Sequence, residues 1–133
     1  MMRGMTEEAF VTALEAHRTK HSDPWTPEAQ AALQALHLER AASLEAARDP
    51  TAQAHLRAAE DCQWAMGGGP TVVERPPEST TRLYEIRARR ARLHEAIGER
   101  KVALDLWESI AADPNGLGKF AAPEVERLRD TAG

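Results

Sequence analysis

The chain has 133 residues, 42% of them apolar, 29% charged and only 5% aromatic, with a net charge of −4; this is the size and composition of a single small globular domain that buries a core without staples. One cysteine, Cys62, excludes a disulfide-stapled scaffold, and the sequence holds no run of about 18 apolar residues to cross a bilayer. The acid excess argues against tight binding to a bare phosphate backbone, so neither a membrane nor a nucleic acid is the expected partner, and an opening that leads into an acidic amphipathic segment rather than an apolar leader core predicts a cytoplasmic setting.

Strand signals are confined to Thr71-Val72-Val73, enclosed by glycines and prolines. The chain therefore reads as all-α, with four or five helices in a bundle or helical-hairpin array. Thr6 reads as the N-cap of a first helix, with Glu7 and Glu8 in the turn where the macrodipole favours anions, and Phe10, Ala13, Leu14 and His17 turned inward. Ser22-Asp23-Pro24 ends it. Thr26 followed by Pro27 opens a second helix with an apolar stripe of Ala29, Leu33, Leu36 and Leu44. Asp49-Pro50 repeats the cap-then-proline signal for a third, with Leu56, Ala59, Cys62, Gln63 and Met66 on one face. These N-terminal helices occupy 1–66. Residues 67–79 are rich in glycine and proline and read as a loop that crosses the bundle, anchored by Val72 and Val73.

The 80–133 half opens with the most regular pattern in the chain. Leu83, Ile86, Arg90, Leu93, Ile97, Arg100, Leu104, Trp107 and Ala111 alternate spacings of three and four, a heptad seam that keeps phase across Gly98. It predicts one long, continuous C-terminal helix of about 30 residues, packed on the N-terminal helices or on a second copy; the other arrangement is a hairpin broken at Gly98. Asp113-Pro114-Asn115-Gly116 stops the seam, and a short last helix follows, with Pro123 at its first position and Val125 and Leu128 facing in.

The same segment concentrates the basic residues: Arg82, Arg87, Arg89, Arg90, Arg92, Arg100 and Lys101, interleaved with Glu85, Glu95 and Glu99. That mixture describes a solvated face of paired charges or an anion site. His17 and His21 stand four apart and share a face if the first helix runs through Ser22, giving two metal ligands; a zinc or iron centre needs a third, with His37, His55, Glu60 and Asp61 as candidates. Cys62 lies among apolar neighbours, where a free thiol is a small buried hydrophobe rather than a nucleophile. Gly67-Gly68-Gly69-Pro70 lacks the following helix start of a phosphate loop and reads as a helix stop.

Three stretches carry local resemblances. Arg90, Leu93, Ile97, Gly98 and Lys101 stand as in the long first helix of the all-helical chorismate mutases, which this segment resembles; the resemblance implies a small helical enzyme in which Arg90 and Lys101 bind the substrate's carboxylates and ether oxygen. The second substrate-binding arginine and the downstream acidic and Arg-Glu positions of that family have no counterparts here. Gly98, Ala103, Trp107, Ile110 and Asp113-Pro114 are similar to the second helix of a tetratricopeptide repeat, without a second copy of the period. Residues 16–22, Ala-His-Arg-Thr-Lys-His-Ser, resemble the phosphoacceptor segment of histidine phosphotransfer domains, with His21 where that family has a glycine.

The sequence shows no complete catalytic constellation, and no cofactor is expected. The chain reads as a non-enzymatic interaction or regulatory protein that binds a protein partner, or self-associates as a homo-oligomer, through the long helix, with Trp64, Arg87, Arg90, Arg100 and Trp107 as contacts. The alternative is a small helical enzyme with an anion pocket at Arg90 and Lys101 or a metal at His17 and His21.

Overall fold

The computed structural model describes residues 5–66 and 75–132, and all regular structure in them is helical. Among the described residues six α-helices stand where four or five are expected: α1 (Glu7–Lys20), α2 (Pro27–Ala46), α3 (Ala52–Ala65), α4 (Pro77–Ala96), α5 (Arg100–Ala111) and α6 (Ala122–Ala132), the last entered through a 3₁₀ turn at Lys119–Ala121. The helices fall into two compact units, Met1–Gly67 and Gly68–Gly133. The glycine run and the Val72 and Val73 anchors lie outside the described residues. No helix among those described is long and apolar enough to cross a membrane.

In the first unit the caps form as the sequence predicts: the Thr6 hydroxyl accepts the Ala9 amide and the Thr26 hydroxyl the Ala29 amide, each at 3.1 Å. Helix α3 starts two residues beyond Pro50. The Asp49 carboxylate accepts the Thr51 amide at 2.9 Å and its hydroxyl at 2.8 Å, which makes Pro50-Thr51 a lead-in turn. The buried face of α2 also differs from the apolar stripe. Gln30, Gln34, Leu38 and Ala41 are buried while Leu33 and Leu36 are half-buried, because the Gln34 amide donates to the Ala59 carbonyl at 2.9 Å and to the Gln63 side-chain oxygen at 3.0 Å. Satisfied buried amides thus lock α2 onto α3 at positions that an apolar count passes over.

In the second unit the continuous helix of about 30 residues does not form. Helix α4 stops at Ala96, and Gly98 takes a left-handed conformation, φ +86°. Its amide bonds the Glu95 carbonyl at 3.1 Å and the Glu99 amide bonds the His94 carbonyl at 2.7 Å, the paired reversed bonds of a Schellman termination that only glycine enters without a Cβ penalty. The chain folds back. Ala103, Trp107 and Ile110 of α5 then pack on Tyr84, Ala88 and Ala91 of α4, with Ala121, Val125 and Leu128 closing the cluster. Periodicity alone does not separate a straight helix from two amphipathic helices folded on each other, since both keep the same spacing. A second correction concerns the loop expected over 67–79: α4 already begins at Pro77, which sits at the first helical position with Glu78 in the first turn.

The Asp113 stop does more than end α5. Its carboxylate accepts the Tyr84 hydroxyl at 2.7 Å and the Asn115 and Leu117 amides at 2.9 and 3.0 Å, fixing the next loop against α4. Burial, aided by this bond and by the aspartate charge, pushes the Tyr84 hydroxyl up to about 12. Burial also raises the Asp113 carboxyl, but the Tyr84 hydroxyl and the surrounding amides outweigh it and hold the group below its ordinary range. Gly118 passes so close to α5 that a Cβ there would lie 1.8 Å from the Ile110 carbonyl oxygen.

Two tests follow from these geometries. Arg48 ends α2 in the same left-handed conformation as Gly98, φ 55°, so Gly98→Ala lowers the urea-unfolding free energy by about 1 kcal/mol while Arg48→Gly leaves it unchanged or raises it by a few tenths. Tyr84→Phe costs about 1–2 kcal/mol at neutral pH. A depressed carboxylate stabilises the fold above its unfolded pKa and ceases to do so as pH falls through its folded value, so the Tyr84→Phe deficit shrinks in acid, where Asp113 is protonated; a deficit that stays constant with pH rules out the charged bond.

Candidate functional site

Five arginines occur between positions 82 and 92 of α4, and helical phase gives each a different environment. Arg87 lies over the Tyr84 ring, 5.7 Å from its centroid, and donates to the Ser109 hydroxyl at 3.4 Å. Arg82 approaches Glu85 at 3.8 Å. Arg89 and Arg92, three residues apart and so on one face, line a groove of about 510 Å³ with Glu85 and Ala88 beside them and Leu117 and Phe120 opposite.

The floor and rim of this groove are fixed by the fold. Arg92 lies over the Trp107 indole, 5.3 Å from the ring centroid, in a cation–π contact. Trp107 is itself immobilised, fully buried, with its indole N–H donating to Glu95 at 3.0 Å. The Asp113 bonds set the loop that carries Leu117, and the 3₁₀ turn buries Ala121 while leaving Phe120 44% exposed. A half-exposed aromatic beside two guanidinium groups is an adhesive surface for carboxylates and apolar side chains together. Two other hollows in the unit, of about 330 and 450 Å³, lie beside internal ion pairs: Arg127 with Glu95 at 2.7 Å in the first, and Arg129 with Glu108 in the second.

The residues singled out from sequence are dispersed. Trp107 is a core side chain rather than a surface contact, and Trp64 is half-buried on α3. Arg100, at the start of α5, donates to the Leu128 carbonyl at 3.4 Å. Arg90 is half-buried on α4 and Lys101 exposed on α5, paired with Asp105 at 2.8 Å, so the single-helix spacing behind the chorismate mutase resemblance is absent. The His17 and His21 rings are neighbours, centroids 4.6 Å apart, but His21 is the C-cap of α1, and His17 Nε2 donates to the Ala29 carbonyl at 2.8 Å. Among the described residues no three His, Cys, Asp or Glu side chains converge to hold a metal ion. The Cys62 thiol is buried, and burial followed by the Asp61 charge pushes it up to about 11, so it carries no thiolate at neutral pH.

Arg89, Arg92 and Phe120 were not separable from their neighbours by sequence, since only the folded phase of α4 and the 3₁₀ turn brings them together. Trp25 is 73% exposed in the α1–α2 connection. No protein-family model, curated protein or solved structure matches this chain.

The division between core and rim is measurable. Trp107→Ala costs about 3–5 kcal/mol in urea unfolding, whereas Phe120→Ser stays within about 0.5 kcal/mol of the parent; a large loss at Phe120 would show that its ring serves packing rather than recognition.

Proposed function

We propose that this chain is a non-enzymatic protein-interaction module, acting by occupancy as a regulatory or adaptor component, and that the groove between α4 and Phe120 receives an acidic segment of a protein partner. The observation that carries this reading is the juxtaposition of Arg89 and Arg92 with the half-exposed Phe120 and Leu117. Guanidinium groups one helical turn apart match carboxylates in forked geometry, while Ala88, Leu117 and Phe120 offer an apolar seat between them. A partner segment with Asp or Glu flanking one Leu, Phe or Trp satisfies both. Glu85 in the groove and the acid excess of the chain disfavour a phosphate backbone in the same place. A cytoplasmic setting belongs to the same proposal, in keeping with a buried, unpaired Cys62.

Selection of displayed random short peptides against the full chain tests it. The expected outcome is enrichment of acidic sequences with a central apolar residue, whose binding weakens about tenfold in Arg89→Glu/Arg92→Glu and in Phe120→Ser, and weakens with added salt. Enrichment of basic or uncharged sequences, or acidic peptides indifferent to those substitutions, overturns the reading.

A further inference from the structure

Three rings meet beneath α1. Phe10, the buried residue of α1, lies 5.3 Å from the His37 ring of α2 and 4.8 Å from the His55 ring of α3. The two imidazoles face each other through their Nδ1 atoms, 3.0 Å apart, and both are half-buried. Facing ring nitrogens at that distance hold one proton between them: one donates its N–H, and the other must be bare to accept it. Protonating both rings puts a hydrogen on each Nδ1, sets two N–H groups against each other and places two positive charges under the Phe10 ring. The charged groups facing the pair act in opposite senses. Glu7 of α1 favours protonation of His55, and Arg40 of α2 opposes it. Those two groups also bind each other at 3.3 Å, and Arg40 donates to the Met5 carbonyl at 2.7 Å, tying the start of α1 to α2.

We propose that the His37–His55 pair is a proton-operated latch on α1, in which the shared proton seats Phe10 at neutral pH, and protonation of both imidazoles parts the rings and lifts the N-terminal half of α1 from α2 and α3. The far end of α1 stays attached, because the His17 N–H to the Ala29 carbonyl is a donor contact that survives protonation. Burial, then the neighbouring His55, holds the His37 imidazole down to about 4, and burial lowers His55 as well. The sign follows from these directions. The unfolded chain takes up protons near 6.5 and the latched state resists them, so the latch is at full strength above about 6.5 and weakens as pH falls from there towards about 4.

Hydrogen–deuterium exchange of the full chain at neutral pH and at about pH 5, with rates corrected for intrinsic pH dependence, reads the latch directly. Amides in the first half of α1 are expected to exchange about tenfold faster, after correction, at the lower pH, with α4 and α5 unchanged. In His37→Gln, whose amide donates to His55 without titrating, the acceleration disappears. Equal corrected rates for α1 at both pH values, or the same acceleration in His37→Gln, overturns the proposal. Should that variant not fold, imidazole proton titration of the wild-type chain by NMR decides: His37 titrating well below 6.5 supports the latch, and titration at or above 6.5 removes it. Zn²⁺ that slows α1 exchange at neutral pH in the wild type but not in His37→Gln would also overturn it, by making the pair a metal site.

Discussion

The reversal at Gly98 is the constraint on which the C-terminal unit is built. With the backbone turned left-handed at that point, α5 returns along α4, and the small side chains Ala88 and Ala91 leave room for the Trp107 indole. Enclosing Trp107 then has an external effect: its upper ring face supports Arg92, restricting a side chain that would otherwise sample many rotamers. The groove is therefore a by-product of how the core is closed, and Arg92 is ordered there by packing rather than by a partner.

The N-terminal unit is held together differently. Its enclosed residues include Ala29, Ala41, Ala52 and Ala59, all without accessible surface, which bring backbones close but bury little area each. Directional contacts make up part of the difference, Gln34 across α2 and α3 and the imidazole pair below α1. Polar groups in such positions are stable only while each donor has its acceptor, which is why protonation has leverage there that it lacks in the alanine-lined seam.

Much of the fold was legible because local chemistry decides it. Thr6 and Thr26 cap, Asp113 stops, and Pro123 and the inward Val125 and Leu128 belong to α6 as their residue types dictate. The start of α4 was equally legible in principle, since Pro77 with Glu78 repeats the signal of Pro27 with Glu28; the preceding proline and glycines masked it as loop. The reversal was not decidable, because the heptad phase survives it and glycine at position 98 is tolerated, at a cost, inside a helix. Least legible was the groove. Of five arginines on α4, sequence favoured Arg87 and Arg90, yet Arg87 is engaged by Tyr84 and Ser109, and the two that line the groove differ from their neighbours only in angular position around the helix.

The close passage of Gly118 beneath the Ile110 carbonyl has a consequence for recognising other chains built this way. At that position no side chain is sterically admissible, at Gly98 none is conformationally comfortable, and Asp113 must offer a carboxylate to Tyr84 and two amides at once. Surface arginines can be exchanged or moved by a turn while the backbone stays the same. Kinship with this unit would therefore be written in backbone-determined letters: a glycine, an aspartate fifteen positions on and a second glycine five beyond it, set against a tyrosine in the preceding helix, rather than in the residues that meet a partner.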